Sequence, residues 1–164
     1  MAARGRHVEL VLAGIWLGLA TAAAGGEADH VTRAGGIEIV HAWSRATDED
    51  VGVLFMEIAN EGTAGDRLVG ARSAVASRVE LHGAVMRGGR MTSEPIGSLA
   101  LPAGSELELE PDGAFLKLIG LKQALREGDE YITAIEFAEA GAIEIHVQIE
   151  AADATRHSHA GHAH

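Results

Sequence analysis

One stretch limits the fold more than any other. Ile143, Ile145, Val147 and Ile149 alternate without a break with Glu144, His146, Gln148 and Glu150. A period of two puts every apolar side chain on one face of a strand and every polar one on the other, whereas a helix would scatter them around its axis. Such a strand needs a sheet to join and an apolar layer to cover one face. The pattern recurs. Leu107 and Leu109 alternate with Glu106, Glu108 and Glu110, and Val79 and Leu81 with Glu80 and His82. Ile37, Ile39 and His41 alternate with Glu38 and Val40. Val51 to Ile58 is a nearly continuous apolar run of strand length, closed by Asn60-Glu61-Gly62, and Leu68-Val69 begins a further run. Turn residues separate these segments: Arg87-Gly88-Gly89-Arg90, Leu101-Pro102-Ala103-Gly104, Pro111-Asp112-Gly113, Glu127-Gly128-Asp129 and Ala140-Gly141. The spacing predicts an antiparallel sandwich or barrel of about seven or eight strands. Only Leu121 to Arg126 reads as a short helical turn, and no internal repeat is visible.

The two ends differ from this body. Residues 1–24 carry Arg4 and Arg6, then the apolar Leu10 to Ala20, then small residues in which Ala20-Thr21-Ala22 and Ala22-Ala23-Ala24 both fit an A-x-A cleavage pattern. That is the layout of a secretory signal peptide, too short in its apolar part to be a comfortable membrane span. The expectation is export to the periplasm, with no membrane insertion after cleavage. Residues 25–36 read as a flexible lead-in between glycine pairs, 37–150 as the β-domain, and 151–164 (AADATRHSHAGHAH) as a disordered histidine-rich tail.

Composition narrows the function. The formal charge is -11, which repels nucleic-acid phosphates and anionic lipid and favours cations or a basic partner. There is no cysteine, so disulfides, thiolate metal sites and cysteine nucleophiles are excluded. No G-x-S-x-G, P-loop, G-x-G-x-x-G or H-E-x-x-H is present, and no enzyme is expected. Glu106, Glu108, Glu110 and His146 read as solvated strand faces.

Two clusters carry metal chemistry. His157, His159, His162 and His164 fall within the last eight residues, and neutral imidazole suits copper, nickel and zinc. The second cluster is His82 with Met86 and Met91, which flank Gly88-Gly89. Thioether and imidazole together favour Cu(I), but from the residues alone the first expectation for two methionines at a hairpin is that they fill a gap in the core. A two-residue turn at Gly88-Gly89 sets Met86 opposite Met91 and makes His82 a diagonal neighbour of Ser93.

The chain resembles the PCu(A)C-type periplasmic copper chaperones. Ala42-Trp43-Ser44-Arg45-Ala46-Thr47 is similar to their A-W-A-R-A-T, Asp66-Arg67-Leu68-Val69-Gly70 to their D-R-L-V-G, and Val79-Glu80-Leu81-His82 to their V-E-L-H. Leu101-Pro102-Ala103-Gly104, Gly120-Leu121-Lys122-Gln123 with Leu125, and Glu127-Gly128-Asp129 follow in the same order. The resemblance covers residues 37–150. It implies an all-β, cupredoxin-like antiparallel Greek-key β-sandwich. It also implies a periplasmic protein that holds copper, as Cu(I) or Cu(II), or delivers it to a cuproprotein such as cytochrome oxidase or to its assembly factor.

The family motif has the form H-x10-M-x21-H-x-M. Its first position is His82, and the next three hold Ser93, Phe115 and Lys117. Phe115 cannot coordinate, and Lys117 opposes a cation. Copper binding by this chain is therefore expected to use other ligands, the histidine tail first. The competing expectation is a metal-free interaction module of the envelope that has lost the site.

Overall fold

The computed structural model describes residues 31–158. Residues 1–24, and His159, His162 and His164 of the tail, lie outside the described residues. The described chain is built from eleven strands with no helix: β1 (Val31–Ala34), β2 (Ile37–Arg45), β3 (Val51–Asn60), β4 (Asp66–Ser73), β5 (Ala76–Arg87), β6 (Arg90–Pro95), β7 (Leu99–Leu101), β8 (Glu106–Leu109), β9 (Phe115–Leu121), β10 (Glu130–Phe137) and β11 (Gly141–Glu150). The count exceeds the sequence expectation in part because β1 and β7 are too short to show a period, whereas β8 is the Glu106–Leu109 alternation itself. Leu121 to Arg126 is not helical. Leu125 is buried in the core, and its backbone exchanges two 2.9 Å hydrogen bonds with Thr47.

The strands follow one hydrogen-bonded path, β6-β5-β9-β3-β2-β11-β10-β4-β7, with β1 on β2 and β8 on β3. Every pairing is antiparallel except β2 with β11, which is parallel. The sheet is therefore mixed rather than wholly antiparallel. β4 passes through Ala74-Val75 straight into β5, so the far end of the path returns beside its beginning. The two halves then enclose one core: Leu54, Met56, Leu81, Leu116 and Leu118 from one, Leu68, Ile135, Phe137, Ile145 and Val147 from the other. Each such side chain contributes about 1.5–3 kcal/mol when fully buried. The alternation on β11 holds: Ile143, Ile145, Val147 and Ile149 are buried, while Glu144 and His146 are exposed.

Two expectations about the ends need correction. The lead-in is not slack from Val31 onward. Gly35 and Gly36, at φ 60° and 81°, form a two-residue turn that pairs β1 with β2. The tail is not disordered over 151–158. Ala154 accepts a 2.7 Å bond from Arg45 Nε, Ser158 bonds Glu150 through its N–H and its hydroxyl, and His157 is 2 % exposed. Short polar side chains there find fixed partners at the end of β11, which the composition alone does not show.

Candidate metal-binding positions

The β5–β6 hairpin forms with the register its glycine pair demands. Gly88 and Gly89 have φ 56° and 76°, Met86 pairs with Met91, and Ala84 pairs with Ser93. Both methionines are 63 % exposed, so they fill no core gap. They form a solvent-facing pair of thioethers at the hairpin tip, four residues up the strand from His82.

β9 lies on the other side of β5, and its register completes the constellation. His82 stands opposite Phe115, and Glu80 opposite Lys117. The four family positions therefore lie side by side on β5, β6 and β9, but His82 is already satisfied by Ser93 and by the neighbouring Glu80. His82 is buried, and both of its ring nitrogens are engaged. Nδ1 lies 3.2 Å from Ser93 Oγ, and Nε2 lies 3.1 Å from Glu80 Oε2. A carboxylate only accepts, so Nε2–H donates to Glu80, and in the neutral ring Nδ1 then accepts from the hydroxyl of Ser93. Phe115 stacks on the imidazole at 5.6 Å between centroids. The hydrogen bond from His82, and after it that from Arg78, holds the Glu80 carboxyl below its usual range. An ion at His82 would have to displace Ser93 or Glu80 and then face Lys117.

Carboxylate, imidazole and hydroxyl in a row is also the order of a nucleophilic triad. A triad needs an oxyanion pocket and a substrate cavity as well. The clefts of about 420 and 500 Å³ lie elsewhere, one along Glu38, Glu57, Glu106 and Glu108, the other around Asn60 and Asp66.

Phe115 continues a row of rings. Trp43 on β2 packs on Phe55 of β3 at 4.6 Å, Phe55 on Phe115 at 6.3 Å, and Phe115 on His82. These spacings are those of tilted and offset aromatic pairs. Arg45 lies over the Phe55 ring at 5.6 Å. The position that a metal-binding member of the family fills with a ligand is here part of an aromatic row.

His157 is the one tail histidine among the described residues. Its Nε2 lies 3.1 Å from Gln148 Oε1 and 3.6 Å from Glu150 Oε1. Its ring stacks at 5.7 Å on His41, a residue the alternation placed on a strand face without any role. His41 sits at a bulge, where the β2–β3 register shifts between Val40 and Trp43, and its φ of 52° is the only positive value at a non-glycine residue among the described residues. The break in alternation at His41-Ala42-Trp43-Ser44 was the available sequence signal for it. His146 is exposed, with Glu130 3.8 Å from its Nδ1.

Fold and register together define a PCuAC-type domain, the copper-chaperone class of β-sandwich. The chain belongs to the LpqE-like family, described as "Putative lipoprotein LpqE-like", whose model matches residues 37–149. It is 30% identical over 119 residues to "Putative lipoprotein Lxx21020" of Leifsonia xyli subsp. xyli, covering 72% of each chain. Among solved structures it is similar to the copper-bound PCuAC domain from PmoF2, with a TM-score of 0.64, 27% identity, and coverage of 74% of this chain and 98% of that one. The apo PCuAC domain from PmoF1 matches at TM-score 0.64 and 25% identity, covering 74% and 99%. The fold is shared also by Cu(I)-DR1885 of Deinococcus radiodurans, at TM-score 0.54 and 22% identity, covering 77% and 83%. Among the described residues no helix is long and apolar enough to cross a membrane.

Proposed function

We propose that this protein binds copper in the bacterial envelope and holds or delivers it for cuproprotein assembly, using ligands outside the four family positions. The carrying observation is the pairing of a PCuAC-type fold with an internally satisfied family site: His82 is bonded on both nitrogens, and Phe115 and Lys117 stand where ligands would. Copper is the cargo here. The side chains offered to it are the tail residues His159, His162 and His164 and the exposed Met86–Met91 pair, whose two thioethers suit Cu(I). The arginine-led apolar leader of residues 1–24 supports export to the periplasm.

A second reading, a metal-free interaction module, draws on the same closure of the family site. The deciding experiment is titration of the exported protein with Cu(I) and Cu(II), with and without residues 159–164. Cutting after Ser158 leaves the folded 151–158 segment in place. Binding that weakens on truncation supports copper handling through the tail. Failure of the full chain to bind either ion tightly refutes copper handling and leaves the interaction module.

A further inference from the structure

We infer that β6 pairs edge to edge with β6 of a second copy of the chain, antiparallel and about a two-fold axis at Thr92. The hairpin's isolation motivates this. The pairing of β9 with β5 ends at His82, opposite Phe115, while β5 and β6 run on together to Arg87 and Arg90. From Gly83 to Glu94 the hairpin therefore has no third strand among the described residues. β6 ends the path of strands, and all of its residues are exposed except the half-buried Glu94. A two-stranded hairpin is marginal in water, and further strands stabilise it.

The free edge can be read residue by residue. The Ile96 N–H donates to Leu81 O at 2.8 Å, which fixes the alternation of the ladder. Glu94, Thr92 and Arg90 turn their backbone groups toward β5, and Met91 and Ser93 turn theirs to the open side. Pro95 faces the same side without an N–H, which ends the usable edge there. A second β6 must match outward residues with outward residues. Centred on Thr92, the pairing sets Met91 opposite Ser93 of the second copy, and the two exchange both backbone bonds.

That register also sets Arg90 opposite Glu94 of the second copy, on both sides of the axis. Arg90 has no ion pair among the described residues and stands opposite Arg87, a like charge. Glu94 is paired with Arg87, and its carboxylate keeps acceptor capacity for a second donor. Centring the axis on Met91 or Ser93 would put Thr92 opposite Arg90 or Glu94 instead. The free side of β5, Gly83 to Arg87, has no acidic residue to meet Arg87. Charge complementarity therefore selects β6, this register and a second copy. Thr92 meets Thr92 at the axis, a favourable cross-strand pair. On the other face Met91 becomes the diagonal neighbour of Met91 of the second copy, ~7–8 Å away at Cα and within reach of a long side chain. The exposed methionines thus gain apolar contact. The chain carries a formal charge of -11, but the hairpin beyond His82 holds Arg87 and Arg90 against Glu94 alone, so two copies repel least here. Both copies use the same edge, so the assembly closes at two.

The test is sedimentation equilibrium of the metal-free exported protein, tail included, over a range of concentrations. The unaltered chain should form a concentration-dependent dimer that salt weakens. Arg90→Glu and Glu94→Arg each set like charges opposite one another on both sides of the axis, and each should weaken the dimer ~10-fold or more. An equimolar mixture of the two variants should dimerise again, because every charge pair across the axis is then complementary. Circular dichroism checks that both are folded, and Arg90→Glu leaves the Arg87–Glu94 pair in place. In hydrogen exchange the amides of Met91 and Ser93 should gain protection as the concentration of the unaltered chain rises. A chain that stays monomeric to about 1 mM overturns the inference. So do folded variants that dimerise as the unaltered chain does, a mixture that stays monomeric, or a dimer in which the Met91 and Ser93 amides gain no protection.

Discussion

Replacing His82 by alanine separates a structural imidazole from a metal ligand. The side chain is 5 % exposed and makes two hydrogen bonds and one ring stack. A net hydrogen bond contributes about 0.5–1.5 kcal/mol. Its partners recover water on truncation, because Ser93 is exposed and the Glu80 side chain is 31% exposed, so the two bonds together count for about 1 kcal/mol at the low end of that range. The stack and the lost packing of a buried ring add about 1–2 kcal/mol. His82→Ala should therefore destabilise the domain by about 2–3 kcal/mol, a fall in Tm of roughly 8–12 °C for a domain of this size. Urea denaturation followed by circular dichroism gives the first number. Competition for Cu(I) and Cu(II) against a coloured chelator gives the second, and copper affinity should stay within about twofold of wild type. A tenfold loss of copper affinity would show that His82 coordinates. A stability loss below about 0.5 kcal/mol would show that its two bonds and stack do not hold it.

Four further outcomes follow from the register, the polar network and the turns. The triple variant Ser93→Met, Phe115→His and Lys117→Met should create a Cu(I) site around His82, gaining at least ~100-fold in Cu(I) affinity when measured without residues 159–164, because all four positions already lie side by side on β5, β6 and β9. Ser44→Ala removes the buried partner of the Tyr131 hydroxyl and should cost about 1–3 kcal/mol in urea denaturation. Burial pushes the Tyr131 ionisation up, so the variant's tyrosine should still resist titration. Burial works against the charge on Asp66, yet the N–H groups of Glu139, Ala140 and Arg67 hold its pKa below the usual value. A depressed carboxyl contributes stability above its unfolded pKa, about 3.9, and loses it as pH falls through the folded value, so Asp66→Asn should flatten the acid limb of the stability curve. Gly120→Ala places a Cβ 2.7 Å from Ser77 Oγ at φ +67° and should cost about 1–3 kcal/mol, read as a lowered Tm.

Much of the fold is legible because strand and turn chemistry are local. β11 declares its buried face residue by residue, and Gly88-Gly89 alone set the Met86–Met91 register that places Ser93 beside His82. The parallel contact of β11 with β2 joins segments far apart in sequence, and no local pattern encodes it. β1 and β7 are too short to carry a period. The family positions could be counted from the motif spacing, but that Glu80 would take the second nitrogen of His82 depends on rotamers set by packing against Phe115. His157 was visible as a metal-suited side chain. Its docking against His41 was not, because it needs a bulge in β2 and a folded 151–158 segment at once.

The row of rings from Trp43 through Phe55 and Phe115 to His82 gives the molecule an optical gauge of its own. Trp43 is the only tryptophan among the described residues, and it lines the cleft that holds His41 and His157. A change at Phe115 would reach the indole through Phe55. Emission from one residue therefore reads repacking of the former family site as a shift in wavelength.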